Sequence, residues 1–404
     1  MYGYFGEITM VKDSERRKIQ TMERMRKSAF SPRLPKRKVV VFSAIVICCS
    51  ILMTLALGEL VLRYRERSGQ GHELLDPGLI RYDKALGWKL TPHWQGHHRH
   101  RDFLASYQTN RYGFRGEFPP LGDHVGRRIV FLGDSFTFGF GVNDHETFVH
   151  RVNEKATGDQ YLNFAIPGFS TDQQYLLLRQ RVINFRPDVV VLVTYLGNDL
   201  FDNLLPFPLQ ASHGKPYFKF SGNRLLLKNS PVPTAVKSKE QAALDLHQVV
   251  MGEPPTRRGG LFGLLEKMKL FQMAKGIFRS DNRDLFTLFN TRFQPALKVY
   301  EALLDQMAIL CRRNNSELLV ILMPGRSLVE RPGSQSAQFQ EYLREKIIEL
   351  CKRLHIRLMD LPLHLKTVHM ETGEKFHFPN DGHMNALGHM VTADYIREKL
   401  KIVK

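Results

Sequence analysis

Cysteine is scarce in this chain, with four among 404 residues. No Cys-x-x-Cys pair occurs, which removes the usual sequence grounds for a redox dithiol or a zinc site. Cys48 and Cys49 lie in an apolar run, and Cys311 and Cys351 fall on two separate predicted helices. The latter two read as buried thiols, with a disulfide between them as the alternative. Acidic residues are also in deficit, 40 against 58 Lys and Arg, for a net charge of +18. Such a balance favours anionic neighbours: lipid headgroups, acidic glycans or nucleic acid. No zinc finger, helix-turn-helix or RNA-binding signature is present, so nucleic acid is set aside. Wholesale disorder is excluded as well, because 43% of the residues are hydrophobic and only 24% charged.

One stretch lacks charge altogether. Residues Val39 to Gly58 read VVVFSAIVICCSILMTLALG. At 1.5 Å per residue that run spans roughly 30 Å, the hydrocarbon thickness of a bilayer. A cleaved signal peptide fits poorly, since the preceding basic region is long and no clean A-x-A site follows. A lipoprotein fits poorly too, because Ile47 precedes Cys48. Lys12, Arg16, Arg17, Lys18, Arg24, Arg26, Lys27, Arg33, Lys36, Arg37 and Lys38 come before the run. Only Arg63, Arg65 and Arg67 follow closely, mixed with Glu59 and Glu66. The positive-inside bias predicts a single-pass protein with a cytoplasmic N-terminus and everything after Leu62 outside. That bias holds whether translation starts at Met1, Met10 or Met22.

The reading divides the chain into a basic cytoplasmic segment at 1–38, a transmembrane helix at 39–62, a juxtamembrane region at 63–125 and a catalytic domain at 126–404. The juxtamembrane stretch TPHWQGHHRHRD carries His93, His97, His98 and His100. Without an acidic or cysteine partner at ligand spacing it reads as a solvated loop rather than a metal site. From Arg127 onward, short β-branched runs alternate with amphipathic segments. Strands are predicted over 127–135, 161–167, 188–196, 317–324 and 356–361. Helices are predicted over 147–156, 171–185, 296–313, 339–354 and 386–400. This alternation predicts an α/β fold, a doubly wound, flavodoxin-like parallel sheet of about five strands. It breaks over about 200–294, read as an insertion. Within it, GGLFGLLEKMKLFQMAKGIF places Leu261, Leu265, Met268 and Phe271 on one helical face, suited to packing on the enzyme or to a lid or membrane-surface contact.

Four motifs fall at strand ends or just before a helix, where ligands bind in such sheets. Gly133-Asp134-Ser135 ends the first strand and would expose a serine at the sheet edge. Asn163 to Gly168 ends the second, and Gly168 lets the backbone approach a substrate. Gly197-Asn198-Asp199 ends the third, and Asn198 can aim an amide N–H at a developing oxyanion. Asp381-Gly382-His383-Met384-Asn385 precedes the last helix, with an acid two residues before the histidine. Of the competing histidines, His377 lacks a nearby acid on this pattern and His389 falls inside the final helix.

The order Ser, Gly, Asn, Asp–His resembles the SGNH, or GDSL-like, hydrolases over roughly Arg127 to Lys399. That resemblance implies Ser135 as nucleophile, His383 as general base and Asp381 as its orienting acid. It implies an oxyanion hole from the Ser135 and Gly168 N–H groups and the Asn198 side chain, with no cofactor or metal. Two spacings depart from the common pattern. One residue, not two, separates Asp381 from His383, and Gly197 directly precedes Asn198. The short Asp-x-His, followed by Asn385 and Gly388, is similar to members that act in bacterial cell-surface glycan acylation. Asn110-Arg111-Tyr112-Gly113-Phe114-Arg115-Gly116 is similar to a segment often preceding the GDS block in membrane-tethered members, and the resemblance assigns it no chemical role. The implied activity is an esterase acting on O-acyl, chiefly O-acetyl, groups of envelope or exported glycans. Its alternatives are an O-acyltransferase, a lipid esterase or thioesterase, and a non-catalytic glycan-binding or assembly protein. The implied partners are the membrane, the ester substrate, and anionic lipid or acidic glycan.

Overall fold

A computed structural model describes residues 20–24, 35–69, 74–119, 126–208 without 157, 211, 213–237 and 294–401. The apolar segment 259–278 and the basic stretch 12–18 lie outside these. The chain forms two units. The first contains helix α1 (Lys36–Gly69), of which Arg37–Tyr64 is long and apolar enough to cross a membrane. Phe42, Leu52 and Met53 stand exposed on it, as lipid-facing side chains would.

The second unit is built on five parallel strands: β6 (Arg128–Leu132), β7 (Gln160–Asn163), β8 (Val189–Tyr195), β11 (Glu317–Met323) and β12 (Arg357–Met359). Their order across the sheet is β7-β6-β8-β11-β12, the doubly wound arrangement read from the alternation. The strands are nearly continuous apolar runs because helices cover both faces. All five residues of β6 are buried, as are Val189 to Thr194 of β8. One face packs on α4 (Thr171–Gln180), α6 (Gln294–Arg313) and α8 (Gln335–Arg353), through Leu177, Tyr300, Leu304 and Ile347. The other packs on α3 (Phe148–Glu154), α9 (Leu361–Thr372) and α10 (Ala386–Lys401), through Phe148, Leu365 and Ile396. Helix α6 keeps Leu297, Tyr300, Leu304, Met307 and Cys311 on one buried stripe, the helical period that made it legible. Cys311 and Cys351 are free and buried, and burial pushes both thiols up to about 12.

Residues 74–119 are also β-structured. β1 (Leu74–Leu75), β4 (Gln95–His100) and β5 (Phe103–Gln108) form one antiparallel sheet, and β2 (Ile80–Asp83) pairs with β3 (Gly87–Leu90). The expected solvated loop is therefore β4. Its alternation turns His98 inward, where Nδ1 meets the Tyr107 hydroxyl at 2.8 Å. His97 lies 3.4 Å from Asp76 and His100 lies 3.8 Å from Asp102, so acids do stand beside two of these histidines. Within the stretch read as an insertion, β9 (Tyr217–Ser221) and β10 (Arg224–Lys228) form a hairpin. Just before it, Lys215 pairs with Asp172 in full burial.

Candidate active site

The site lies at the carboxyl ends of β6, β7 and β8, where the strand order reverses. β6 runs through Gly133 into helix α2 (Ser135–Phe138). Asp134 caps that helix by accepting the Phe136 N–H at 2.9 Å. The cap leaves Ser135 at the first helical position, with its hydroxyl directed to the cleft. Its Oγ lies 2.7 Å from His383 Nε2.

His383 sits in the loop ahead of α10. Its Nδ1 lies 2.7 Å from Asp381 Oδ1, and the same oxygen accepts the His383 backbone N–H at 3.0 Å. Gly382 makes the short spacing workable. Its φ of 90° turns the backbone so that a carboxylate two residues upstream folds back on the ring. An ionised carboxylate only accepts, so Nδ1 carries the proton and Nε2 is left to accept from the Ser135 hydroxyl. Burial pushes the Asp381 carboxyl up. The hydrogen bonds from His383 and its charge outweigh burial and hold the group below the usual carboxylate range.

Gly168 and Asn198 line the same cleft as Ser135 and His383. Gly168 has a φ of 78°, a left-handed backbone that a side chain would strain. The preceding Pro167 carbonyl accepts the indole N–H of buried Trp88 at 2.9 Å. Asn198, just ahead of the short helix α5 (Asp199–Asp202), donates one amide N–H to Asp202, which orients the side chain and leaves its second N–H for another acceptor. The cleft has a volume of about 640 Å³, and Ile80, Trp88, Phe136, Phe140, Tyr195 and His213 form much of its wall. Beneath it, burial raises the Asp134 carboxyl to about 6. Burial and the charge of Asp134 raise that of Asp199 well above the usual range.

All five site residues read from the sequence thus border one cleft. The competing histidines do not. His389 is buried, accepts the Phe148 N–H at 3.2 Å on Nδ1, and is pushed down to about 3 by burial and by nearby Arg115 and Arg151. His377 is also buried, and here the sequence expectation needs correcting. It does have an acid beside it, Glu330 of α7 (Arg326–Glu330), at 3.5 Å across 47 residues of sequence that no local pattern reveals.

The model of the GDSL-like Lipase/Acylhydrolase family matches residues 131–391. The chain belongs to this family. As a GDSL-like hydrolase with Ser135 at the carboxyl end of the interior strand β6, the chain is an enzyme, a serine hydrolase by kind. Similar solved structures include the acetyl xylan esterase AlAXEase, at 13% identity over 67% of this chain and 98% of that one, with a TM-score of 0.39. The lipase/acylhydrolase from Enterococcus faecalis is 14% identical over 68% and 96%, at 0.37. The acetylxylan esterase Axe2 from Geobacillus stearothermophilus is 12% identical over 68% and 94%, also at 0.37. No curated protein matches this GDSL-like chain.

Several residues that surround this site had no role legible in the sequence. Asn110 organises its turn by accepting the Tyr112 and Phe114 N–H groups on Oδ1. That turn presents Arg115, buried, to the Phe138, Gly139 and Val142 carbonyls at and just beyond the end of the serine helix. Tyr107 accepts the Gly141 N–H at 2.8 Å. The motif Asn110 to Gly116 was visible, but its targets lie more than twenty residues away.

Proposed function

We propose that this GDSL-like hydrolase is an esterase working through an acyl-enzyme, with Ser135 as nucleophile, His383 as general base and Asp381 as the acid that orients it. The hydrogen-bonded relay from Ser135 Oγ through His383 to Asp381, 2.7 Å at each step, carries this reading. His383 Nε2 takes the hydroxyl proton as Ser135 Oγ attacks the ester carbonyl. The N–H groups of Ser135 and Gly168 and the second Asn198 amide N–H receive the developing oxyanion, where one donor is worth roughly 2.7–4 kcal/mol. The tetrahedral intermediate collapses, its alcohol leaves with the proton from His383, and water then attacks the acyl-Ser135. A sugar hydroxyl in place of that water would make the enzyme an O-acyltransferase, since the first half-reaction is shared. No step calls for a cofactor.

The substrate we assign is an O-acyl, chiefly O-acetyl, group on an envelope or exported glycan. Two things support it: the positive-inside charge bias around α1, which would hold the catalytic unit outside, and a cleft walled by aromatic faces and few charges. The complete Ser135–His383–Asp381 set speaks against a non-catalytic glycan-binding or assembly role. The segment that would favour a lipid esterase, 259–278, lies outside the described residues.

Full-length protein in detergent should label with a fluorophosphonate, and Ser135→Ala should not. Equal labelling of that variant removes Ser135 as nucleophile. Acetate release from an O-acetylated polysaccharide should exceed turnover of long-chain acyl esters, and the reverse would replace the glycan assignment with a lipid one. A C-terminal alkaline phosphatase fusion should be active in a bacterial host. An inactive fusion with a working cytoplasmic reporter would reverse the topology.

A further inference from the structure

We infer that Asp102, at the turn between β4 and β5, is a positioning residue that holds the Asp381–His383 loop in its working geometry. The inference rests on the site reading above and adds a residue from outside the region matched by the family model, which begins at residue 131.

Asp102 and Asp381 are 279 residues apart in sequence, yet this carboxylate ties the loop down at Asn380 and Asp381, while Arg326 Nη1 donates to the Phe378 and Pro379 carbonyls just before them. Asp102 Oδ2 accepts the consecutive backbone N–H groups of Asn380, at 2.8 Å, and Asp381, at 2.9 Å. Oδ1 accepts the Asn380 side-chain amide at 2.6 Å. The Asp102 side chain is only 5% exposed, and a carboxylate so placed is tolerated when donors surround it. Burial pushes it up, and these N–H donors more than offset that, so the group stays ionised near neutral pH. The turn has its own anchor, since Phe103 packs on Phe378 with ring centroids 4.9 Å apart.

The need for such an anchor follows from the loop. Asp381 reaches His383 through the left-handed Gly382, so the carboxylate direction depends on where the Asp381 backbone is fixed. Within the loop, Gly382 N–H reaches the Phe378 carbonyl at 3.2 Å, and Phe378 N–H reaches the His383 carbonyl at 2.8 Å. Neither bond holds the N–H groups of Asn380 and Asp381. Asp102 does. It touches neither the serine nor His383, so it acts through Asp381 and orients the base at one remove.

The test is a double-mutant cycle on the full chain in detergent, read by kcat and KM on a small acetyl ester together with the melting temperature. A displacement of about 1 Å near the chemistry lowers rates by up to about a hundredfold. Asp102→Ala should therefore lose about ten- to a hundredfold in kcat, with KM within about threefold. Asp102→Ala added to Asp381→Ala should lose nothing further, because its route to His383 is already gone. Wild-type kcat in Asp102→Ala overturns the inference. So does a loss of the same factor in both backgrounds, which is what a merely structural residue would produce. If Asp102→Ala does not fold, Asp102→Asn decides. It keeps one acceptor oxygen, and a severalfold loss of kcat at an unchanged melting temperature supports the inference, whereas wild-type kcat overturns it. Ser135→Ala separates the levels. If it is inactive while Asp102→Ala is wild type, the anchor alone fails. If it stays active, the site reading fails and the inference falls with it.

Discussion

Two histidine–carboxylate pairs, whose histidines are six residues apart in the chain, have different surroundings. Asp381 meets His383 at 2.7 Å, and Glu330 meets His377 at 3.5 Å. The His383 side chain is 21% exposed and its Nε2 faces a serine hydroxyl in the cleft. The His377 side chain is 0% exposed and its Nε2 faces the Pro324 carbonyl at 3.3 Å. A carbonyl only accepts, so His377 Nε2 must carry a proton there and has no lone pair to offer a hydroxyl. An acid beside a histidine is therefore not sufficient for general-base work. What the far nitrogen faces decides whether the pair can move a proton or only hold two elements together.

The sharpest way to break this comparison is to remove each histidine in turn. His383→Ala should lower kcat at least about a hundredfold, the lower end of what general acid–base help provides. Stopped-assay kinetics on an acetyl ester would show it, and wild-type turnover would end the distinction between the pairs. Asp381→Asn should have the next largest effect, a loss of at least about tenfold. An amide can turn its own N–H toward Nδ1, which mis-sets the tautomer and cannot balance the imidazolium. Combined with His383→Ala it should add little, because members of one catalytic unit are not additive.

The parallel-sheet core was legible because its strands are apolar runs and its helices keep a 3.6-residue stripe, as β8 and α6 illustrate. The candidate site was legible for a related reason. Ser135, Gly168 and Asn198 each follow a strand that the pattern had already located. Residues 74–119 were not legible. Their strands are two to six residues long, and β4 reads Gln-Gly-His-His-Arg-His, with polar residues on both faces. Its inward residue is a histidine held by Tyr107, so no apolar alternation marked it. Asp102 and Arg115 carry a further difficulty, since their partners are set by tertiary packing across long sequence separations. Glu330 beside His377 went unseen for the same reason.

Acid pH offers a milder comparison of the two pairs. Burial raises Asp381 and Glu330, and their histidines, joined by Arg326 at Glu330, more than offset it, so both carboxyls lie below the usual range in the folded protein. A carboxyl lowered by folding contributes stability that is fully present above its unfolded pKa, about 3.9 for Asp and 4.3 for Glu. That contribution is lost as pH falls through the folded value. Asp381→Asn and Glu330→Gln should therefore each flatten the fall of melting temperature between about pH 5 and 3. Acid limbs parallel to wild type in both variants would mean that neither pair exists as described. If only one flattens, the other pair is the weaker.

The smallest effect on activity should come from His377→Ala. His377 forms an isolated bridge with Met384, next to His383, so its neighbourhood is not remote from the chemistry. Yet its ring lies outside the cleft wall, and its two nitrogens face Glu330 and Pro324. Removing it deletes no group that touches a substrate, and kcat should stay within about threefold of wild type. Stability should respond instead. Glu330, with a side chain 9% exposed, would keep Arg326 at 3.6 Å but lose the histidine that does most to draw its carboxyl down, and a buried polar group short of a partner costs roughly 1–3 kcal/mol. The expected signature is a lowered melting temperature at pH 7 with the Michaelis parameters nearly unchanged. His377→Gln should recover part of the melting loss, because an amide N–H can still reach either the carboxylate or the carbonyl. A hundredfold loss of kcat at an unchanged melting temperature would reverse the assignment and make the buried pair part of the catalytic machinery.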